Sequence, residues 1–491
     1  TRKTVMMLRL SQNAYLRQYG PFTYILNRLD NSDQMYCDAE EFTRKLSRTP
    51  IEKSEIIRYL HNIYNTTDIE TISADFDDFI APLLASGVLL EGASEEEIKR
   101  KDKSFSYSAE DPRTAPDHVV ISKKEFEQIP QKVLGDYFEA NPTLFDIQLD
   151  ITQACTERCV HCYIPEYNPL FLPYEKICEV ITQYRDMGGL GIGFSGGECM
   201  MHPDFAKILR FAYSKDLVIC VLSNLTLCDD EKIELLKEVH AAVQVSLYSM
   251  KPEVHDSITR HPGSWLKTKN AIEKLHASDI PLRISCPTMK QNFTDYTAVL
   301  EYAESLKITA QTDFIMMAKA DHNTSNLDNR LSLKQTEQLL HDIVNSNLPV
   351  IKEYFNPDYK DQLDTPEERA EQPLCGAGMD KLCLNADGNY YPCSGFQFYP
   401  VGNCYEQTLK EVWENSPQIK YLRGLRGRDI PKCIHCKDRN YCSMCLVRNF
   451  NETGNMLEVA EHFCKVAALN HQIVDELHTR LDRERQAERQ K

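Results

Sequence analysis

Cys155, Cys159 and Cys162 stand at C-x3-C-x2-C spacing, with Tyr163 directly after them. Three thiolates on one short loop can wrap an iron–sulfur cluster. A four-iron cluster has four corners, so one iron would stay open to a small molecule. Zinc is the competing reading, but it wants a fourth ligand, and His161 could supply one only through an awkward loop. Buried structural cysteines are the third. Further on, Phe194-Ser195-Gly196-Gly197-Glu198 offers two glycines that let a backbone edge approach a ligand, and a carboxylate able to bind an ammonium group.

A second constellation lies near the C-terminus. It reads Cys375-x12-Gly388-x4-Cys393, then Cys433-x2-Cys436-x5-Cys442-x2-Cys445, then Cys464. Seven thiols are too many for one metal and nearly enough for two clusters, although the two C-x2-C pairs also read as a zinc ribbon. Of the 18 cysteines only Cys37 precedes residue 155, and nine fall between Cys375 and Cys464. A secreted disulfide scaffold of this length is not expected, because dense disulfides belong to small domains. Cys178, Cys199, Cys220, Cys228 and Cys286 read mostly as core residues.

The elements that position these motifs follow from periodicity. Six strands are expected at 145–152, 190–195, 217–224, 241–249, 281–288 and 308–317, separated by helices such as 174–187, 203–214 and 230–239. Repeated βα units imply a parallel sheet or barrel, with chemistry at the C-terminal strand ends, where the first motif falls. Ahead of them, residues 1–92 read as an α/β module. Strands at 22–26 and 34–37 precede a helix capped by Ser54, with Ile56, Ile57, Leu60, Ile63 and Tyr64 on one face. A second helix follows Ser73, with Pro82 expected to kink or delay it. Two strands followed by amphipathic helices suggest a winged-helix-like fold, with a generic capping domain as the alternative. The charge run 95–103 and the Ser/Asp/Pro-rich stretch to 116 read as linker, and 471–491 as a charged terminal helix. Lys and Arg number 56 against 73 Asp and Glu, a net charge of −17, so no nucleic-acid partner is expected. With no membrane-length apolar run and no signal pattern, a cytoplasmic protein is expected.

The first motif and its setting resemble the radical S-adenosylmethionine (SAM) enzymes. The resemblance implies a partial (β/α)6 barrel over 145–345 and a 4Fe–4S cluster on Cys155, Cys159 and Cys162 whose open iron chelates SAM. The SAM amino group would lie near Gly196, Gly197 and Glu198, and Tyr163, Asn224 and Ser246 match positions that line the SAM site. Residues 255–264 resemble a helix and loop of peptide-modifying members, except that Thr259 stands where many others carry Arg. The implied chemistry is reductive SAM cleavage, giving a 5′-deoxyadenosyl radical that takes a hydrogen atom from the substrate. The C-terminal pattern resembles the SPASM extension over 373–468, reached through a bridging region, 346–372. By that resemblance Cys433, Cys436, Cys442 and Cys464 hold one auxiliary 4Fe–4S cluster. Cys375, Cys393 and Cys445 hold another, with Cys383 or Cys404 as its possible fourth ligand. SPASM enzymes mostly modify peptides, and the N-terminal module resembles the PqqD-like leader-recognition domain, joined by the linker 93–144. The expected activity is therefore maturation of a ribosomally made precursor peptide that carries a leader sequence. Thioether formation comes first, then carbon–carbon crosslinking or epimerisation. A flavodoxin or ferredoxin is the expected reductant. A sulfatase-maturing enzyme is disfavoured because Ser394 stands where those enzymes carry Asp. A non-catalytic zinc scaffold is the remaining alternative.

Overall fold

A computed structural model of the chain describes residues 5–30, 32–103, 128–346 and 364–489. Its contacts separate a smaller N-terminal unit from a larger one that carries both cysteine motifs. The core of the expected linker, 104–127, and much of the bridging region lie outside the described residues.

Among the described residues the N-terminal unit has six strands where the sequence pattern pointed to two. These are β1 (Met7–Leu10), β2 (Ala14–Tyr19), β3 (Phe22–Asn27), β4 (Ser32–Cys37), β5 (Ile51–Glu52) and β6 (Leu89–Gly92). They form two three-stranded antiparallel sheets, ordered β5-β1-β6 and β2-β3-β4. Strand β2 hides from pattern reading because its inward face includes Arg17, only 2% exposed. Helix Lys53–Ile63 buries Ile56, Ile57 and Leu60 and is preceded by Glu52 rather than Ser54. Ile63 and Tyr64, expected on the same face, are 40% and 38% exposed.

Helix Ile69–Ala85 starts before Ser73, capped by Asp68, which accepts from the Thr71 amide at 2.9 Å. Pro82 sits in its last turn, where one lost amide ends a helix about to stop anyway. The helix packs Ile72, Phe76, Ile80 and Leu83 into the core. The linker reading of the charge run is corrected. Glu95–Lys101 is a helix capped by Ser94, and its Ile98 is fully buried. Asp102 then accepts from the Ser11 hydroxyl at 2.7 Å and pairs with Arg9. A further helix, Pro130–Ala140, occupies the end of the same expected linker.

In the larger unit β7 (Asp146–Thr152), β8 (Gly191–Gly196), β9 (Val218–Ser223), β10 (Ala242–Ser246), β11 (Leu282–Pro287) and β12 (Thr309–Asp313) lie side by side in sequence order. The pairings β7–β8, β9–β10, β10–β11 and β11–β12 are parallel. This is the expected six-strand partial barrel. Alternation explains it: Ile147, Leu149 and Ile151 of β7 point to one face and are at most 2% exposed, leaving Gln148, Asp150 and Thr152 for the other. The helices that lead into β9, β10, β11 and β12 each stop on a non-glycine residue with positive φ, namely Asp216, His240, Asp279 and Lys307. This left-handed C-terminal turn redirects the chain into the next strand.

The cysteine-rich segment extends the same sheet. Strand β13 (Lys381–Asn385) pairs in parallel with β7, and β14 (Asn389–Tyr391) and β15 (Gly402–Asn403) continue outward as antiparallel strands. The terminal helix spans Glu461–Arg489, so it starts ten residues before the expected His471 and includes Cys464. Ile473, Leu477 and Leu481 are 3–5% exposed, so it is a packed helix.

Candidate active site

The cysteine loop leaves the C-terminal end of β7 and is fastened at several points. Arg158 N donates to Thr259 O at 2.8 Å and Val160 N to Ile258 O at 2.9 Å. Thr259, where an arginine contact was in question, is fully buried and bonds Ser264 at 2.8 Å, so it braces this turn. Burial pushes the Cys155 thiol up to about 12 and raises Cys159 and Cys162, and the neighbouring thiols add to the shift for Cys155 and Cys159. The three are therefore mutual neighbours.

Gly196 and Gly197 are required by crowding. A Cβ on Gly196 would stand 2.2 Å from Thr152 O, and one on Gly197 2.3 Å from Ala154 O. The Gly197 and Glu198 amides donate to Thr152 O and Ala154 O, both at 2.8 Å, and so lock this edge to the cysteine loop. Glu198 differs from expectation. Its carboxylate is 1% exposed and already accepts from Ser223 Oγ at 2.8 Å, Asn224 N at 2.9 Å and Met200 N at 3.0 Å. It braces the strand ends and leaves the glycine backbone as the edge open to a ligand. Asn224 Nδ2 donates to Thr156 Oγ1 at 3.0 Å and lies 3.9 Å from Cys155 Sγ. Ser246 lies close enough to Tyr248 to lower the pKa of its hydroxyl, and Ser394, beside Cys393, does the same for Tyr163.

Several residues escaped sequence reading. The Tyr248 hydroxyl stands 3.9 Å from Cys159 Sγ and 3.5 Å from His161 Nε2. Tyr167 lies close enough to Cys162 to lower the pKa of its thiol. Glu157, inside the cysteine loop, is 3% exposed, and burial pushes its carboxyl up to about 8. A carboxylate between two ligand-type cysteines was visible in the sequence, but its burial was not.

The C-terminal thiols fall into two neighbourhoods. Cys375, Cys393 and Cys445 form one: burial raises the first two, and Cys445 adds to both shifts. Burial likewise raises Cys433 and Cys442, with contributions from Cys436 and Cys464. Cys383 is 1% exposed in β13 and near enough to Cys393 to feel its charge. Cys404 instead lies by the Gly388 turn and Lys176. Among the described residues no three His, Cys, Asp or Glu side chains are close enough to hold a single metal ion.

Beside the glycine edge lies a cavity of about 570 Å³. Asp150 and Thr152 of β7, Gly196 and Gly197 form one wall, and Asn385, Asp387 and Tyr391 another. Asp387 accepts from Asn389 N at 2.9 Å and from the Tyr391 hydroxyl at 3.0 Å. Asp150, 5% exposed, accepts from Gln148 at 2.7 Å, and burial pushes its carboxyl up to about 6.

A parallel strand array with a three-thiol loop at its mouth and further thiol groups C-terminal to it defines a class. Residues 149–315 match the radical SAM superfamily, and residues 375–445 match SPASM, an iron–sulfur cluster-binding domain. The protein is an enzyme that carries these two domains, and the cofactors of such domains are iron–sulfur clusters and S-adenosylmethionine. Among known proteins, the AdoMet-dependent heme synthase of Methanosarcina barkeri is 26% identical over 343 residues, 65% of this chain and 95% of that one. The antilisterial bacteriocin subtilosin biosynthesis protein AlbA of Bacillus subtilis is 26% identical over 316 residues, 62% of this chain and 67% of that one. In fold, the chain is similar to Streptococcus suis SuiB bound to precursor peptide SuiA. The TM-score is 0.58 at 14% identity, covering 93% of this chain and 99% of that one. No helix among the described residues is long and apolar enough to cross a membrane.

Proposed function

We propose that the enzyme modifies a ribosomally made precursor peptide by radical chemistry, joining a cysteine sulfur to a carbon in a thioether. The observation that carries this reading is the cavity walled by the barrel strand ends and the cysteine-rich hairpin, next to the glycine edge. Cys155, Cys159 and Cys162 would hold the SAM-binding cluster, and Tyr163, the Gly196–Gly197 backbone, Asn224 and Ser246 would line the SAM site, with Glu198 bracing it. When bound, cluster and SAM supply a carbon radical that removes a hydrogen atom from the substrate. The protein's own residues fix the loop, exclude water by burial and hold the substrate carbon in place. Joining a thiol to a carbon radical releases one proton and one electron. Cys375, Cys393 and Cys445, with Cys383 in reach of Cys393, and Cys433, Cys436, Cys442 and Cys464 would hold the auxiliary clusters available as electron acceptors. A flavodoxin or ferredoxin would supply the starting electron.

The leader would bind the N-terminal unit. Strand β4 is an outer strand of its sheet. Tyr36, Phe42 and Phe79 form an aromatic cluster beside it, with ring centroids 5.2–5.3 Å apart. An extended peptide can add to such an edge and set apolar side chains against the aromatics. The heme synthases among the relatives raise a porphyrin substrate instead. Four carboxylates lining the cavity would repel its acidic side chains.

The test is anaerobic reconstitution with candidate precursor peptides, read by mass spectrometry. Loss of the mass of two hydrogens marks a crosslink, and unchanged mass with altered chirality marks epimerisation. Replacing Cys155, Cys159 and Cys162 together by Ala should abolish 5′-deoxyadenosine formation and remove about four irons per chain. Retained SAM cleavage in that variant would overturn the assignment.

A further inference from the structure

The thiol loop that carries Cys436 and Cys442 is collared by arginines. Arg369, from the helix Pro366–Glu371, donates through Nη1 to Ile434 O at 3.0 Å and to Cys436 O at 3.3 Å. Arg439 Nη1 donates to Cys442 O at 3.0 Å, and Arg448 donates to Ser443 O. Arg448 belongs to the helix Leu446–Thr453 and is 8% exposed. Its guanidinium lies 4.6 Å from the centre of the Phe463 ring, next to Cys464 in the chain. Burial raises the Cys442 thiol, and Arg439 and Arg448 are close enough to act against that rise.

The charge of this collar is not spent on carboxylates. Among the described residues Arg369, Arg439 and Arg448 make no ion pair, whereas Arg330, also over Phe463, is matched by Glu452 at 2.7 Å. Asp438, two residues from Cys436, bonds His471 at 2.7 Å. Arg369 Nε and Arg448 Nη1 are buried without any acceptor. A buried cation with an unused N–H is costly until an anion completes it. Four thiolates give an iron–sulfur cluster a net negative charge that grows on reduction, so these residues fit such a group. The other thiol group has no matching collar. Near Cys375, Lys381 pairs with Asp380 at 3.9 Å. Cys383, in reach of Cys393, lies 3.7 Å from Asp150 Oδ2. Arg423 donates to Gly378 O at 2.6 Å, yet its guanidinium lies over Trp413, 4.5 Å from the ring centre.

We propose that Arg448, helped by Arg369 and Arg439, stabilises the reduced form of the cluster on Cys433, Cys436, Cys442 and Cys464, making it the higher-potential auxiliary cluster and the one that keeps the electron released by crosslinking. The proposal rests on the auxiliary-cluster assignment above and names the residues that order the two potentials. Fixed positive charge in a buried setting favours the more negative of two states. Arginine suits the task because it keeps its proton and its fork can serve a carbonyl and a sulfur together. As sulfur joins carbon, the thiol proton passes to water and the electron to this cluster. An oxidised flavodoxin or ferredoxin then removes that electron.

The test is a redox titration of the reconstituted enzyme without peptide, followed by electron paramagnetic resonance. The signal to follow is the one that vanishes when Cys436 and Cys442 are both replaced by Ala. It should have the higher midpoint of the two auxiliary signals. Arg448→Gln should make its reduced form about tenfold scarcer at a fixed solution potential, a fall in midpoint of about 59 mV for one electron. The SAM-binding cluster should keep its midpoint. Arg448→Lys, which retains the charge, should restore most of the loss. Should Arg448→Gln fail to hold the cluster, Arg439→Gln, at a less buried position, should show a smaller fall in the same signal. Unshifted midpoints in these variants, or a lower midpoint for the collared cluster than for its neighbour, would overturn the proposal. So would an equal shift in Arg448→Lys and Arg448→Gln, which would make packing the cause. Failure of the underlying assignment appears separately, as an iron content that does not fall when Cys436 and Cys442 are replaced.

Discussion

Tyr248 places a hydroxyl 3.9 Å from Cys159 Sγ, and a hydrogen bond to a cluster sulfur stabilises the more negative, reduced state. Tyr248→Phe should therefore lower the midpoint potential of the SAM-binding cluster by a few tens of millivolts. A redox titration followed by electron paramagnetic resonance would measure it, and an unchanged potential would mean that the hydroxyl serves His161 alone. Asp150 makes a prediction of opposite character, about stability. Its carboxyl titrates at about 6 in the fold, raised from an ordinary 3.8 chiefly by burial. The fold thus favours the neutral acid. The cost of ionising it is full above pH 6, shrinks as pH falls and is gone below 3.8. Asp150→Asn should raise unfolding stability by about 3 kcal/mol near neutral pH, with the two proteins converging near pH 4. Thermal melts across that range would show it, and an equal gain at every pH would exclude ionisation as the cause. A residue that destabilises its own fold is commonly kept for function.

At the scale of elements, helix Ile69–Ala85 divides its aromatic residues between two tasks. Phe76 is fully buried in the core of the N-terminal unit, so Phe76→Ala should cost about 3–5 kcal/mol in denaturant unfolding. Phe79 is half-buried against Tyr36. Phe79→Ala should spare the fold while weakening the leader peptide severalfold in a binding titration; unchanged leader affinity would remove this face as the reader. Removing residues 1–103, rather than 1–92, respects the helix Glu95–Lys101 and should slow modification of a leader-bearing peptide while SAM cleavage continues. The barrel elements were legible from sequence because each strand alternates cleanly and each is followed by a helix. What stayed hidden depends on distant partners. The charge run at 95–101 packs through Ile98 alone, β2 carries a buried arginine, and β13 is a strand because β7, more than 200 residues earlier, accepts it. In the candidate site, the cysteine spacing declared itself. The saturation of Glu198 by Ser223 and Asn224 did not, nor did the meeting of Asp150 with Asp387, because both arise only when separate strand ends come together.

For the whole molecule, the net charge of −17 sets up a field that draws cationic peptides inward and repels anionic ones. Association with a precursor peptide of net positive charge should slow steeply between low and physiological salt, since screening shortens the reach of that field to about 8 Å at 0.15 M. Stopped-flow binding at several ionic strengths would measure it, and a salt-independent rate would rule out steering. The pairing of β13 with β7 has a consequence for how the protein is made. Synthesis runs from the N-terminus, so β7 emerges with its outer edge uncovered, and the strand that covers it is not translated until residues 381–385. During that interval the nascent chain presents an open strand edge to its neighbours on the polysome. Shielding by a holding chaperone, or slow release of chains stalled before residue 381, would therefore decide the yield of this enzyme before any iron is inserted.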